Sequence, residues 1–448
     1  MRKILIANRG EIASRIIKTC KELGIQTVAI YSDADKDMPY VKEANTAHRI
    51  GEPPVNKSYL KVDEIIKVAL DENVDAVHPG YGLLSENSQF ANETRKHGIE
   101  FIGPSTEVID LMGDKVTARK TMEEAGVPVV PGSKGGVSSI EEAKQIANEI
   151  GYPVMLKASG GGGGIGMVRC DNEQALVQSY DSTKNRAKAY FGMDEVFLEK
   201  CIDHARHIEV QIFGDRKGNI VHLFERNCSV QRRNQKVIEE APSPKLSDIT
   251  REKMFEAAVT AAKAVHYENA GTVEFIVDQN ENFYFLEMNT RLQVEHPVTE
   301  SITNLDLVKW QILVASGEAL PLAEQSEIRQ KGHSIEFRIY AEDPKTFFPS
   351  PGKLALLEWP QNDFVRIDSG YESGNTVTPF YDPMIAKCIV YGESREECIQ
   401  NATSYLNEVK VEGIKSNLPL FIDLLENPSF KQGEYNTSWL STLLAVGK

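Results

Sequence analysis

Between Gly271 and Arg291, two alternating apolar runs flank the polar connection Gln279-Asn280-Glu281-Asn282. Alternation broken by a short polar stretch is the pattern of an antiparallel hairpin. Pairing Asp278 with Phe283 puts Glu274 opposite Glu287 and Thr272 opposite Asn289. Facing side chains on one side of such a pair lie about 5 Å apart, where like charges repel. A hard divalent cation such as Mg²⁺ or Mn²⁺ relieves that repulsion with oxygen ligands alone. Sites of this kind hold the ion through one or two carboxylates and the phosphates of a nucleotide. The hairpin therefore reads as a metal and nucleotide platform built on Glu274, Glu287 and Asn289.

The residues that follow extend this reading. Arg291, Gln293 and Glu295 lie two apart, so an extended chain puts them on the face of Glu287 and Asn289. Arginine beside glutamate, just beyond a metal site, suits an anionic substrate clamped by Arg291 with Glu295 as proton acceptor. Upstream, Lys157 ends an apolar run and precedes a glycine-rich stretch reaching Gly166. Glycines let backbone N–H groups converge on phosphate oxygens, and the lysine adds a point charge. The spacing is not that of a P-loop, so the stretch reads as a cover over a nucleotide. Glu199-Lys-Cys-Ile202 at a strand end offers groups to an adenosine. His207, alternating with Glu209 and Gln211, reads as part of a structural polar face. In His333–Tyr340, strict alternation sets Glu336, Arg338 and Tyr340 opposite an apolar face, with Arg338 expected to face solvent.

The remainder supplies a frame. Residues 1 to about 110 alternate strand and helix patterns: Lys3–Ala7, Glu11–Leu23, Gln26–Tyr31, Tyr59–Glu72, Ala76–His78 and Ser88–His97. That order predicts a mainly parallel sheet covered by helices. The first turn, Asn8-Arg-Gly-Glu11, lacks the dinucleotide fingerprint. His78-Pro-Gly-Tyr-Gly82 reads as a tight turn where backbone can approach a ligand. A helical pattern from 114 stops at Gly126-Val-Pro128, and a lid-sized unit over 131–203 follows. Strands dominate after 204, and helices return at Arg395–Val409 and Asn417–Leu425. With 448 residues, roughly three domains are expected. A net charge of −15 weighs against nucleic acid or an anionic membrane as partner. No run is apolar enough over its length to cross a bilayer. Six scattered cysteines lack metal or disulfide spacing and fit reduced thiols in the cytoplasm. In this acidic chain the basic island Gln231-Arg-Arg-Asn-Gln-Lys236 marks an anion site or an ion-paired surface.

Taken in order, these elements resemble the biotin carboxylase family, a branch of the ATP-grasp enzymes. The resemblance is carried by Ile6-Ala-Asn-Arg-Gly-Glu-Ile-Ala13, His78-Pro-Gly-Tyr-Gly-Leu-Leu-Ser-Glu-Asn87, the lysine–glycine stretch at 157–164, Gln231-Arg-Arg233, Glu287-Met-Asn-Thr-Arg-Leu-Gln-Val-Glu-His-Pro297 and Arg338-Ile-Tyr-Ala-Glu-Asp343. It spans essentially the whole chain. It implies an α/β and α+β protein with an ATP-grasp fold: a Rossmann-like parallel-sheet domain at 1–113, an ATP-grasp domain at 114–318 containing the mobile lid 131–203, and a mainly antiparallel C-terminal domain at 319–448.

The resemblance also implies an activity: ATP- and bicarbonate-dependent carboxylation of biotin on a biotin carboxyl carrier protein, through carboxyphosphate. That is the first half-reaction of an acyl-CoA carboxylase, with acetyl-CoA the leading acyl group. Position by position, Lys115, Lys157, Gly163, Gly164, Glu199, Lys200, Ile202, His207, Gln231, Asn234, Glu274 and Glu287 would contact ATP. Glu274, Glu287 and Asn289 would hold the metals. Lys236, Arg291 and Val294 would hold bicarbonate, Glu295 would deprotonate it, and Arg338 would stabilise the ureido oxygen of biotin. Carboxyltransferase subunits and a second copy of the chain are the implied partners. No methionine precedes a lysine, so the carrier's biotinylation signature is absent, and the chain is expected to act on a carrier in trans. Two positions depart from the family pattern: Ile165, where a basic residue is usual, and Asn234, where histidine is usual. The competing reading is an ATP-grasp ligase joining a carboxylate to an amine, which shares the paired glutamates but does not need Arg291, Val294, Glu295 and Arg338 together.

Overall fold

A computed structural model describes residues 1–159, 166–192 and 194–446. At the N-terminus, Thr46–Gly51, Gln26–Ser32, Lys3–Ile6, Ala76–His78 and Glu100–Phe101 form, in that spatial order, a five-stranded sheet with parallel pairing throughout. Helix Gly10–Glu22 buries Ile12, Ala13, Ile16, Ile17 and Cys20. Their three- and four-residue spacing makes a single apolar stripe.

The strands Lys3–Ile6 and Ala76–His78 are adjacent and parallel, so the turns at their carboxyl ends lie side by side. Asn8 ties them together, its Nδ2 donating to Pro79 O at 2.6 Å and to Tyr81 O at 2.8 Å. Gly80 sits at φ +63°, and a Cβ there would lie 2.9 Å from Asn8 Nδ2. Only glycine meets both demands.

Residues 132–200 carry a separate antiparallel sheet, ordered Met167–Cys170, Val154–Ala158, Val196–Lys200. Helices Ile140–Ile150 and Glu173–Phe191 pack on it over a core that includes Val154, Leu156, Leu176 and Leu198. The expected phosphate-contacting glycines Gly163 and Gly164, and Ile165, lie outside the described residues.

An eight-stranded antiparallel sheet dominates the rest. Its order is Phe283–Asn289, Asn269–Val277, Arg206–Gly214, Ile220–Arg232, Gln235–Ala241, His333–Tyr340, Met384–Gly392, Val365–Ser369. The sheet runs without a break from the metal-platform hairpin into the C-terminal strands. Helix Asp248–Ala264 packs against Arg206–Gly214 and Ile220–Arg232, and helix His296–Thr303 against the strands at the centre.

Three sequence expectations need correction. The hairpin pairs Phe283 with Val277, not with Asp278. A bulge between the 275/285 and 274/287 pairs then shifts the register by one, which restores Glu274 opposite Glu287 and Thr272 opposite Asn289. Asp278 instead closes the turn, its Oδ1 accepting from Asn280 N and Asn282 N at 2.8 Å each. Second, every residue of His333–Tyr340 is buried, so Arg338 does not face solvent. Phe337 meets Phe421 on one side, and helix His296–Thr303 lies against this strand as well. Third, the chain does not stay extended after Asn289: Glu295 becomes the N-cap of helix His296–Thr303.

Candidate active site

An open cavity of about 660 Å³ lies between the N-terminal turns and the face of the large sheet. It is lined by Asn8 to Ile12 and Tyr81 to Leu83 from one side, and by His207, Asn234, Lys236, Glu274, Glu287, Asn289, Arg291, Gln293, Val294, Glu295 and Arg338 from the other. The curled segment after Asn289 thus brings Arg291, Gln293 and Glu295 to one place by a route the sequence pattern did not show.

Lys236 is the hub. It follows the turn Arg233–Asn234, whose two residues have φ of +50° and +65°, the pattern of a tight two-residue hairpin connection. Asn234 is one of the few non-glycine types that tolerates this conformation. From there Lys236 Nζ reaches Glu295 Oε1 at 2.6 Å, Glu209 Oε2 at 2.7 Å and Glu274 Oε1 at 3.0 Å. Burial opposes a charge on Lys236, but the acidic groups around it win and raise its pKa well above the ordinary value.

Glu295 and Glu274 are likewise buried, which alone would raise their pKa values. Lys236, Arg338 and Arg226 outweigh burial at Glu295, and Lys236 and His207 outweigh it at Glu274, so both carboxyls are held well below the usual range. Arg338 Nη2 lies 3.0 Å from Glu295 Oε2. Arg291 is fixed on three sides: Nε donates to Glu86 Oε2 at 2.8 Å, Nη2 to Asn289 Oδ1 at 2.9 Å and Nη1 to Gln293 Oε1 at 3.0 Å. Val294 lends its carbonyl to Lys387 at 2.9 Å.

Donors crowd Glu274, with Asn289 Nδ2 and Gln293 Nε2 each 2.8 Å from Oε1 and His207 Nε2 2.7 Å from Oε2. Gln231 does not line the cavity; its Nε2 donates to His207 Nδ1 at 2.8 Å, which leaves the imidazole proton on Nε2 and aimed at Glu274. Glu287 is different. Its side chain is 37 % exposed, and Lys115 Nζ stands 3.6 Å away. Two carboxylates and an amide on one side of a hairpin suit a hard cation, so the residues present fit a magnesium ion. A second cluster of buried ligand atoms, Glu209, Cys228 and Glu295, already encloses the cations of Lys236 and Arg226, which neutralise it without a metal.

The small sheet carries the remaining expected nucleotide residues, away from this cavity lining. Lys157 pairs with Glu199, and Lys200 Nζ donates to the carbonyls of Gly151 at 2.8 Å and Tyr152 at 2.9 Å. Ile202 follows that sheet's last strand, half-buried.

Sequence reasoning passed over Glu209 and Arg226, read at most as strand polarity. Both are fully buried, and Arg226 Nε meets Glu209 Oε1 at 2.6 Å. Arg226 also reaches Gln211 Oε1 at 2.7 Å and the hydroxyls of Thr299 and Thr272 at 3.0 and 3.2 Å. The one available signal was the run of polar residues at alternate positions 207, 209 and 211, of which Glu209 and Gln211 face Glu274 and Thr272 across the ladder.

A small sheet set beside an antiparallel hairpin with paired glutamates is the arrangement of an ATP-grasp ligase. Comparison with known proteins narrows the class. The description "Biotin carboxylase, N-terminal domain" matches residues 1–109, "Carbamoyl-phosphate synthase L chain, ATP binding domain" 114–323, and "Biotin carboxylase C-terminal domain" 336–442. "Biotin carboxylase 2" of Bacillus subtilis is 58 % identical over 98 % of both chains. The crystal structure of a biotin carboxylase complex from Campylobacter jejuni superposes with a TM-score of 0.96 at 47 % identity, covering 98 % of each chain. The biotin carboxylase domain dimer of Hydrogenobacter thermophilus 2-oxoglutarate carboxylase, in complex with MgADP, ADP and bicarbonate, also reaches 0.96 at 48 % identity, over 100 % of this chain and 98 % of its own. The chain belongs to the biotin carboxylase family, and it is an ATP-dependent ligase.

Proposed function

We propose that this chain carboxylates the biotin of a carrier protein with ATP, magnesium and bicarbonate, and that the cavity around Lys236 is where it does so. The observation that carries the reading is the set Lys236, Arg291, Glu295 and Arg338, converging from three separate segments on one cavity beside the Glu274–Glu287 hairpin. Glu274 and Glu287, with Asn289, hold the metal, which neutralises phosphate charge. Arg291, Lys236 and the backbone at Val294 hold bicarbonate, and Glu295 takes its proton. Bicarbonate is a weak nucleophile until that proton leaves. Its attack on the terminal phosphoryl group yields carboxyphosphate and ADP, and the cations spread the charge of that transfer. Carboxyphosphate then splits into CO₂ and phosphate, the phosphate takes the N–H proton of biotin, and Arg338 stabilises the resulting negative ureido oxygen while the freed nitrogen bonds to CO₂.

On this reading Lys115, Lys157, Glu199, Lys200, Ile202, His207, Gln231 and Asn234, with Gly163 and Gly164, serve the nucleotide. Relatives include subunits of pyruvate, 2-oxoglutarate and methylcrotonoyl-CoA carboxylases. Acetyl-CoA is our choice for the downstream acyl group because the chain matches separate bacterial biotin carboxylases of its own size. We also take the working unit to be a homodimer that serves separate carrier and carboxyltransferase subunits in the cytoplasm. Six unpaired cysteines support that compartment.

The test is ADP release under defined substrates. It is expected to require bicarbonate and to rise with biotin or a biotinylated carrier. Release that needs a free amine and ignores bicarbonate would make the protein a carboxylate–amine ligase instead. Carboxylation of each candidate carrier from the same cell identifies the acyl-CoA system.

A further inference from the structure

Next to Arg338, outside the cavity lining, stand two carboxyl groups that the reaction above leaves unused. Glu239 and Glu336 are directly paired across the strands Gln235–Ala241 and His333–Tyr340. Both are completely buried, and no oxygen of either finds a hydrogen-bond partner among the described residues, so that what distinguishes Glu239 is its ion pair. Glu239 Oε1 lies 2.5 Å from Arg338 Nη2, the same nitrogen that reaches Glu295.

Two carboxylates facing each other in a dry interior repel strongly, and each loses its hydration. The cations nearby are committed elsewhere. Lys236, on the strand of Glu239, is divided among three other carboxylates. Lys387, from the strand beyond, donates to Val294 O and lies 3.2 Å from Glu11. Glu295 and His296, from the packed helix, bring one negative charge and one imidazole that burial keeps neutral. Cys228 adds only a thiol that burial holds protonated. Burial accordingly pushes Glu239 up to about 7 and lifts Glu336 well above the usual carboxylate range.

We infer that Glu239 and Glu336 hold one proton between them and act as positioning residues for Arg338, with the charge on Glu239 and the proton on Glu336. This rests on the roles proposed above for Arg338 and Glu295. When Glu295 accepts the bicarbonate proton it becomes neutral, and Arg338 loses one of its two anionic partners. The charge on Glu239 keeps the guanidinium anchored while its free edge turns to the ureido oxygen. No proton leaves the pair during turnover.

Infrared spectroscopy tests the pair directly, whatever the substrate. At neutral pH the unaltered protein should show a protonated-carboxyl band that weakens in Glu336→Gln. A spectrum without that band overturns the inference and needs no variant to fold. Kinetics test the positioning role. Glu239→Gln should lower kcat with free biotin by roughly tenfold or more while KM for ATP stays within about twofold. Glu336→Gln should move the alkaline limb of the kcat profile by about one pH unit, because the shared proton can no longer be lost. Variants with the parental kcat and pH profile, or with kcat and ATP affinity failing together, overturn it. If instead the unaltered enzyme ignores bicarbonate, the proposed reaction falls while the infrared result stands.

Discussion

The ammonium of Lys236 sits 2.6 Å from the carboxylate of Glu295. An ionised carboxylate held this tightly is a weak base, because Lys236 and Arg338 both stabilise its charge. Its basicity must rise when substrates arrive. Lys236 is shared with Glu209 and Glu274, so phosphate and bicarbonate oxygens entering the cavity compete for the same ammonium and release Glu295 to accept a proton.

Glu295→Gln keeps the shape and removes the base. Bicarbonate-dependent ADP release is expected to fall by at least ~10²-fold. Nucleotide binding, read by equilibrium titration, should be nearly unchanged, because Glu295 belongs to the bicarbonate side of the site. Turnover at the parental rate would remove Glu295 from the role of base.

Glu287→Gln addresses the metal. Glu274 shares its charge with the donors Lys236, His207, Asn289 and Gln293, whereas among the described residues Glu287 meets Lys115 at 3.6 Å and is open to the cavity. Losing that charge should raise the Mg²⁺ concentration for half-maximal activity by roughly tenfold, given that such sites rely on one or two carboxylates. The fold should be unaffected, since the side chain is partly exposed. A magnesium titration at fixed ATP reads both outcomes.

Arg226→Met tests the buried support under the site. The guanidinium neutralises Glu209 with both groups fully out of solvent. Removing one partner of such a pair costs about 3–5 kcal/mol, because the other charge is stranded. The urea midpoint should drop accordingly. Activity should drop too, since an unpaired Glu209 draws Lys236 away from Glu295.

What the sequence could show follows from distance along the chain. The β-α-β alternation and the Glu274–Glu287 pair depend on neighbours within one hairpin or one turn, so pattern alone reaches them. The bulge places Phe285 with Phe275 in the core while Glu287 stays opposite Glu274. Strict alternation read along the chain puts Phe285 and Glu287 on one face, so pattern alone does not locate it. Arg338 looked like a solvent-facing residue because one strand's alternation cannot tell whether a helix covers its second face. Arg226 and Glu209 meet across strands whose pairing depends on the whole sheet closing, and Glu239 faces Glu336 from nearly a hundred positions away. The roles of Glu209, Glu239 and Glu336, unlike those of Glu274, Glu287 and Glu295, therefore emerge only once the sheet is assembled.

The last prediction concerns acid stability away from the active site. Glu240 is buried, and His333 Nε2 lies 2.5 Å and Arg395 Nε 2.7 Å from its Oε2, with Tyr435 on its other oxygen. Burial alone would raise its pKa, but Arg395 and His333 outweigh it and hold the carboxyl at about 2, below its ordinary 4.5. A depressed folded-state pKa contributes stability that is fully present above the unfolded value and is lost as pH falls toward the folded one. The window is therefore from about 4.5 down to about 2, and the loss across it is on the order of 3 kcal/mol. In Glu240→Gln that loss disappears, so its melting temperature should start lower at neutral pH and decline less steeply through this window. Parallel melting curves for the two proteins would show that the acid sensitivity comes from other carboxylates.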